Sequence, residues 1–285
     1  MSLFISSSWE IAALAAPSFE ESKRLTITCL IVATVSFCIA LIAASIMDGV
    51  FPEYRICSLA LASAPMVVAL PLAGRLFRCS DSKMVYLISC CCIVGVACVV
   101  PAQLAMHDSL NTVSSSFVAA GLLEEFLKIF CYLSPVWAGM VRDCYKLVFA
   151  SLVAGYYFGV VENLVYGLTI EYTERAAYMT IVRHLSFPLT HACFSMIGGI
   201  FFAYSKIGLV PSWVAIPLMG IVPVALHGAY DTTLFTYQEC SRSLEDGCEN
   251  WLQGALVVLL VSLVTPFVMM LPLRKRRVEP AAVCV

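Results

Sequence analysis

The chain has 285 residues, of which 61% are hydrophobic and 13% charged, with a formal net charge of -2 and a mean hydropathy of +0.90. Soluble domains carry roughly a quarter charged residues, so this composition excludes an ordinary soluble fold and predicts an all-α, polytopic membrane helix bundle of one domain, with the lipid bilayer as its surroundings. No basic groove with interleaved aromatics is present, so no nucleic-acid partner is expected.

Residues 1–24 contain Glu10, Glu20, Glu21, Lys23 and Arg24 and no long apolar core, which predicts an N-terminal tail and not a cleavable signal peptide. Apolar runs of roughly 18 to 25 residues then recur through 25–273, each long enough to cross about 30 Å of hydrocarbon. About eight transmembrane helices are expected, at 25–47, 57–74, 84–106, 115–140, 145–168, 184–205, 213–236 and 251–273. The second is the shortest and carries Pro65 and Pro71. Residues 274–285 open on Arg274, Lys275, Arg276 and Arg277 and form a basic C-terminal tail.

Orientation follows from the 17 lysines and arginines. Lys23, Arg24, Arg75, Arg78, Lys83, Arg142, Lys146, Lys206 and the four of the C-terminal tail share one side with both termini, whereas Arg55, Arg175, Arg183 and Arg242 face the other. Positive residues concentrate in the cytosol, so both tails are expected to be cytosolic. The sequence does not name the membrane.

Most of the 14 cysteines, including Cys90, Cys91 and Cys92, lie in apolar runs as small packing residues. Cys240 and Cys248 flank an acidic loop with Glu245, Asp246 and Glu249, and form a disulfide if that loop faces an oxidising compartment. No C-x-x-C pair or H-E-x-x-H zinc helix occurs, and the Ala-Val-Cys-Val terminus is no prenylation signal.

The fourth span contains Gly121 to Phe130, GLLEEFLKIF, in which Glu124, Glu125 and Lys128 interrupt the apolar pattern. An ionisable side chain near the bilayer centre costs roughly 2.5 to 3.5 kcal/mol, so three need partners. Lys128 stands at i+4 from Glu124 and i+3 from Glu125, within reach of either on a helix face. The fifth span adds Glu162 and Asn163, the sixth His191, and the seventh His227 and Asp231. Counted from the non-cytosolic span ends, Glu124, Glu162, His191, His227 and Asp231 fall in one layer roughly 8 to 14 Å deep at 1.5 Å per residue. One polar chamber is therefore expected. Gly155 and Gly159, Gly198 and Gly199, and Gly228 allow helices to approach closely there, and Pro188 and Pro223 precede the histidines by three and four residues. His107 and His184 lie near span ends and are expected at the interface.

Carboxylates and histidines together are the inventory for activating water: a desolvated carboxylate is a plausible general base, and a histidine or amide can stabilise a developing oxyanion. Two histidines and a glutamate can equally bind zinc and leave a coordination position open to water. The spacing does not choose between these. Ser195, one turn after His191, is the one nucleophile candidate and is read as a packing serine.

Glu124-Glu125-Phe-Leu-Lys128 resembles the EExxK motif of the PrsW family of intramembrane proteases, and Phe158 to Asn163 resembles its FxxxEN motif. His191 and the stretch His227 to Asp231 resemble the two later histidine motifs, so the likeness covers about 121–231 in the family's order. The family is related to the CaaX-processing and bacteriocin-protection proteases. The resemblance implies an intramembrane endopeptidase that hydrolyses membrane-anchored protein substrates. It makes Glu124, Glu125, Glu162, His191 and His227 the catalytic residues, with Lys128, Asn163 and Asp231 in support. Glu124 and Glu125 would hold or deprotonate the water, Lys128 would orient them, and Asp231 would orient His227. Glu162 stands where the CaaX-processing branch has a histidine. Relatives are described both as glutamic and as metallo-peptidases; we favour the metal-free pair, with zinc on Glu124, Glu162, His191 and His227 as the candidate if a metal is present. A non-catalytic scaffold of the same superfold needs none of these groups, and a proton-coupled transporter predicts polar paths to both faces, whereas these residues stop in one half of the membrane.

Overall fold

The computed structural model describes residues 81–107, 112–169, 174–243 and 248–273, together with residues 20, 21, 23, 24, 26, 27, 31 and 71–74. Most of the first two expected spans, the C-terminal tail and most of the N-terminal tail lie outside them. Side chains are described for residues 81–99, 113–164 and 186–237 and for most of 239–273.

The remaining six expected spans all fall on helices. They are α1 (Ser82–His107), α2 (Leu123–Trp137), α3 (Cys144–Thr169), α4 (Glu174–Lys206), α5 (Ser212–Ser243) and α6 (Cys248–Met269), and no strand occurs among the described residues. Among the described residues, five stretches are long and apolar enough to cross a membrane: Ser82–Val99, Cys144–Leu164, Ser186–Lys206, Ser212–Tyr237 and Cys248–Leu273. The fourth expected span differs in form. It consists of a single α-turn (Thr112–Ser114), a π-helical segment (Ser115–Leu122) and then α2. The wider π turn lies immediately before the paired glutamates, a position where such turns often mark function. α4 begins at Glu174, before the expected start, and α5 runs on to Ser243. Helical hydrogen bonding does not stop where apolarity does, and no glycine or proline intervenes at those ends.

Local signals set the other boundaries. Asp81 Oδ1 accepts the Met84 amide at 3.1 Å at the start of α1, and Asp143 Oδ1 accepts the amides of Tyr145 and Lys146 at 2.8 and 3.0 Å at the start of α3. These bonds satisfy amides that a helix N-terminus leaves exposed. Gly139 and Gly208, at φ 71° and 67°, turn the chain after α2 and α4, in a conformation that side chains with a Cβ disfavour.

α3 and α4 form the most extensive helix pair. Their membrane stretches are 83% buried against 22% for α6, so they form the centre while α6 turns most of its surface outward. The pair is close because it lacks side chains at the crossing: a Cβ on Gly155 would stand 2.1 Å from the His191 carbonyl, and one on Gly159 2.8 Å from Pro188 Cα. The main core of Tyr132, Leu147, Phe149, Val153, Tyr157, Met196, Ile200 and Phe202 fills the bundle on one side of the polar layer. Cys92, Cys131, Cys144 and Cys193 are buried and free, in keeping with a packing role. Cys240 and Cys248 are joined by a disulfide that ties α5 to α6.

Candidate active site

Glu124 and Glu125 lie in the first turn of α2. Glu162 and Asn163 come from α3, His191 from α4, and His227 and Asp231 from α5. All seven are buried, and Lys128 is 0% exposed. Four helices thus place every expected site residue in the interior, and charges there persist only when paired.

The two glutamates, adjacent in sequence, face different partners. Glu125 Oε1 accepts from Lys128 Nζ at 2.7 Å and meets His227 Nδ1 at 2.9 Å. Glu124 Oε2 lies 3.9 Å from His191 Nδ1, 3.8 Å from His227 Nε2 and 3.5 Å from Lys128 Nζ. Glu125 therefore ties α2 to α5, while Glu124 points between the two imidazoles.

Each histidine divides its nitrogens between a carboxylate and the centre. His191 Nε2 stands 2.9 Å from Glu162 Oε2, so Nδ1 is the nitrogen turned to Glu124. His227 uses Nδ1 for Glu125, and its Nε2 faces Glu124 and Asp231, the latter at 3.3 Å. The rings are nearly perpendicular with centroids 5.0 Å apart.

The donor set suits a metal. One ligand atom each from Glu124, His191 and His227 all lie within 4.8 Å of one another. A tetrahedral zinc with nitrogen and oxygen ligands at about 2.0 to 2.2 Å separates its donors by roughly 3.3 to 3.6 Å. The 3.8 and 3.9 Å separations from Glu124 Oε2 are only a few tenths of an ångström wider. A carboxylate behind each imidazole is also the arrangement that fixes the tautomer of a metal-ligating histidine. The expected metal quartet differs in one member: Glu162 is not part of this three-donor cluster and stands on the far nitrogen of His191.

Two features were not foreseen. Lys128 Nζ lies 2.6 Å from His191 Nδ1, although 63 residues separate them. Aromatic rings also enclose the histidines. Phe158, Phe187 and Phe194 place their centroids 5.6, 5.8 and 6.4 Å from the His191 ring, and Phe194 stacks on His227 at 5.2 Å. Phe158 also takes the Lys128 ammonium over its face at 4.4 Å. The available signal was helical spacing, since Phe158 precedes Glu162 by one turn and Phe187 and Phe194 flank His191 by one turn each. These rings lower the local dielectric and strengthen the polar contacts they enclose.

The remaining candidates sit apart from this centre or outside what is described. Asn163 is fully buried beside Glu162. Ser195 Oγ is buried against Gly155, with no hydrogen-bond partner among the described residues, which fits packing and not nucleophilic attack. His107 ends α1 and His184 lies within α4; their side chains are outside those described.

Close approach explains two glycines. A Cβ on Gly121 would meet the Val224 carbonyl at 3.0 Å, and one on Gly228 would stand 2.5 Å from Phe117. The π-helical segment thereby packs directly on α5 beside His227.

Fold and site define a polytopic membrane protein with a buried, metal-competent glutamate–histidine centre. Residues 83–270 match the sequence model of the PrsW family intramembrane metalloproteases, and the chain belongs to that family. It is thus an intramembrane protease, with hydrolase chemistry inside a transmembrane helix bundle. No curated protein and no solved structure is significantly similar to it.

Proposed function

We propose that this protein is an endopeptidase that hydrolyses peptide bonds of membrane-anchored protein substrates, with a metal held by Glu124, His191 and His227. The observation that carries the proposal is the split of each imidazole between a rear carboxylate and a central nitrogen turned to Glu124. Two nitrogens and one oxygen suit zinc, which when bound supplies Lewis-acid activation of water and of the scissile carbonyl.

The chain's own residues do the rest. Glu124, whose Oε2 is the donor turned to the histidines, would take the water's proton on its other oxygen as the water oxygen bonds to the carbonyl carbon; the proton passes to the amine as the C–N bond breaks. Glu125 does not exchange protons. Held by Lys128 and His227, it fixes the angle between α2 and α5. Glu162 orients His191 and Glu125 orients His227, each from the nitrogen turned away from Glu124, while Asp231 stands 3.3 Å from the inward Nε2 of His227 and lines the metal position. Lys128 completes the polar wall that faces the developing oxyanion, and the phenylalanines keep bulk water away. Both termini are assigned to the cytosol and the chamber to the non-cytosolic leaflet. The Cys240–Cys248 disulfide supports this assignment, because disulfides persist in oxidising compartments.

The test is cleavage of a membrane-anchored reporter by purified protein in proteoliposomes, alongside metal analysis of the wild type and of Glu124→Ala, His191→Ala and His227→Ala. We expect about one zinc per chain in the wild type, lost with cleavage in the variants. A folded wild type that cuts no membrane-anchored substrate sinks the endopeptidase assignment; an active preparation without metal sinks the metal assignment and leaves Glu124 as a metal-free base.

A further inference from the structure

Lys128 carries a charge into the one place where the donor cluster would hold a metal. Its Nζ stands 2.6 Å from His191 Nδ1, 2.7 Å from Glu125 Oε1 and 3.5 Å from Glu124 Oε2. Two of those three contacts are to residues of the proposed metal cluster. The approach to His191 Nδ1 is decisive. An ammonium only donates, so Nδ1 offers its lone pair to Lys128, and an imidazole nitrogen has only one; the far nitrogen faces Glu162 at 2.9 Å. That lone pair cannot serve an ammonium and a metal at once.

We propose that Lys128 is a tethered stand-in cation: its ammonium fills the cation position of the Glu124–His191–His227 cluster before metal arrives and is displaced from His191 Nδ1 when metal binds. This rests on the metal assignment made above and adds a means of controlling it.

Without a cation the layer would hold Glu124, Glu125, Glu162 and Asp231, all buried, and like charges repel strongly in a low-dielectric interior. Lys128 supplies the neutralising charge during folding and membrane insertion, before metal is available. Displacement from Nδ1 need not strand the ammonium: Glu125 Oε1 and the Phe158 face at 4.4 Å hold it from the other side. The position of Glu125 explains why the chain has two adjacent glutamates. Glu124 serves the metal cluster and Glu125 anchors the stand-in. Metal affinity is accordingly set below what the three donors alone would give, since each binding event must dislodge a resident cation.

The experiment is a zinc titration of the full-length protein in lipid nanodiscs, read by competition with a chromophoric chelator and by the rise in melting temperature on adding zinc. Wild type, Lys128→Met, Lys128→Gln and Lys128→Arg are compared, with His227→Ala as the ligand-loss control. Lys128→Gln retains a donor for Glu125 if the methionine variant does not fold, and Lys128→Arg retains the charge. We expect both neutral variants to melt below wild type without metal. They should bind zinc about tenfold more tightly or better, the scale on which groups around a site change metal affinity, and gain more in melting temperature on loading. Lys128→Arg should bind zinc no more tightly than wild type. Equal or weaker zinc binding by a folded neutral variant, with binding still lost in His227→Ala, overturns the stand-in role and leaves the metal assignment intact. Absence of zinc binding in every variant, wild type included, overturns both.

Discussion

Replacing Glu162 separates a group that positions a ligand from the ligand itself. Its Oε2 meets His191 Nε2 at 2.9 Å, on the side of the ring away from Glu124. Glu162→Ala would leave a 2%-exposed imidazole without the carboxylate that faces its Nε2; a buried polar group left unpaired costs about 1 to 3 kcal/mol. Loss of the group behind a metal-ligating histidine typically lowers affinity or activity about 10- to 100-fold, which is roughly 1.4 to 2.7 kcal/mol. The two routes agree in scale. Glu162→Gln retains a carbonyl oxygen of the same reach, so its loss should be below about tenfold, less than for the loss of the acceptor outright. The assay pairs zinc affinity by chelator competition with single-turnover cleavage of a membrane-anchored reporter. The expected order in both readouts is wild type, then Glu162→Gln, then Glu162→Ala with residual metal. Wild-type behaviour of Glu162→Ala would refute the positioning role, and total loss of metal in both variants would make Glu162 a direct ligand.

Glu124→Gln removes the proposed proton acceptor while keeping the side chain's volume; cleavage should fall by about 10² to 10⁴ while the protein stays folded by thermal unfolding in nanodiscs, and unchanged cleavage counts against Glu124 as the base. Gly155→Ala places a Cβ 2.1 Å from the His191 carbonyl oxygen, a contact with backbone that cannot rotate away. It should destabilise the bundle by about 1 to 3 kcal/mol and reduce cleavage, because the displaced backbone carries His191; a melting temperature equal to wild type would show that α3 and α4 do not cross this closely. The Cys240–Cys248 disulfide closes a short loop, so Cys240→Ala with Cys248→Ala should cost about 2 to 3 kcal/mol. Before reduction, neither thiol should take up a membrane-impermeant maleimide in intact membranes; labelling of both sinks the bridge.

Composition and run length were enough to determine that the chain is an all-helical membrane bundle, because hydrocarbon tolerates no unpaired backbone and each span closes its own hydrogen bonds. The polar inventory was legible for the same reason: Glu124, Glu125, Lys128, Glu162, His191, His227 and Asp231 stand out against apolar helices where an ionisable side chain is costly. Their agreement in depth anticipated that they meet. The i+3 and i+4 spacings correctly paired Lys128 with both glutamates, since those contacts lie within one helix.

What the spacings could not supply is which face of each helix turns to which neighbour. Glu124 and Glu125 differ by about 100° around α2, and only the packing of α4 and α5 against that helix sends one between the histidines and the other to Lys128 and His227. Nor does the chain's order reveal which imidazole nitrogen faces inward. Glu162 faces one nitrogen of His191 and Glu125 one of His227, so the nitrogens turned to Glu124 form the three-donor cluster with it. The π-helical turn before α2 and the contact of Lys128 with His191 arise the same way. Apolar periodicity records how deep a residue lies in the membrane. Rotation about the helix axis is decided by the surfaces that meet it, and those come from distant parts of the chain.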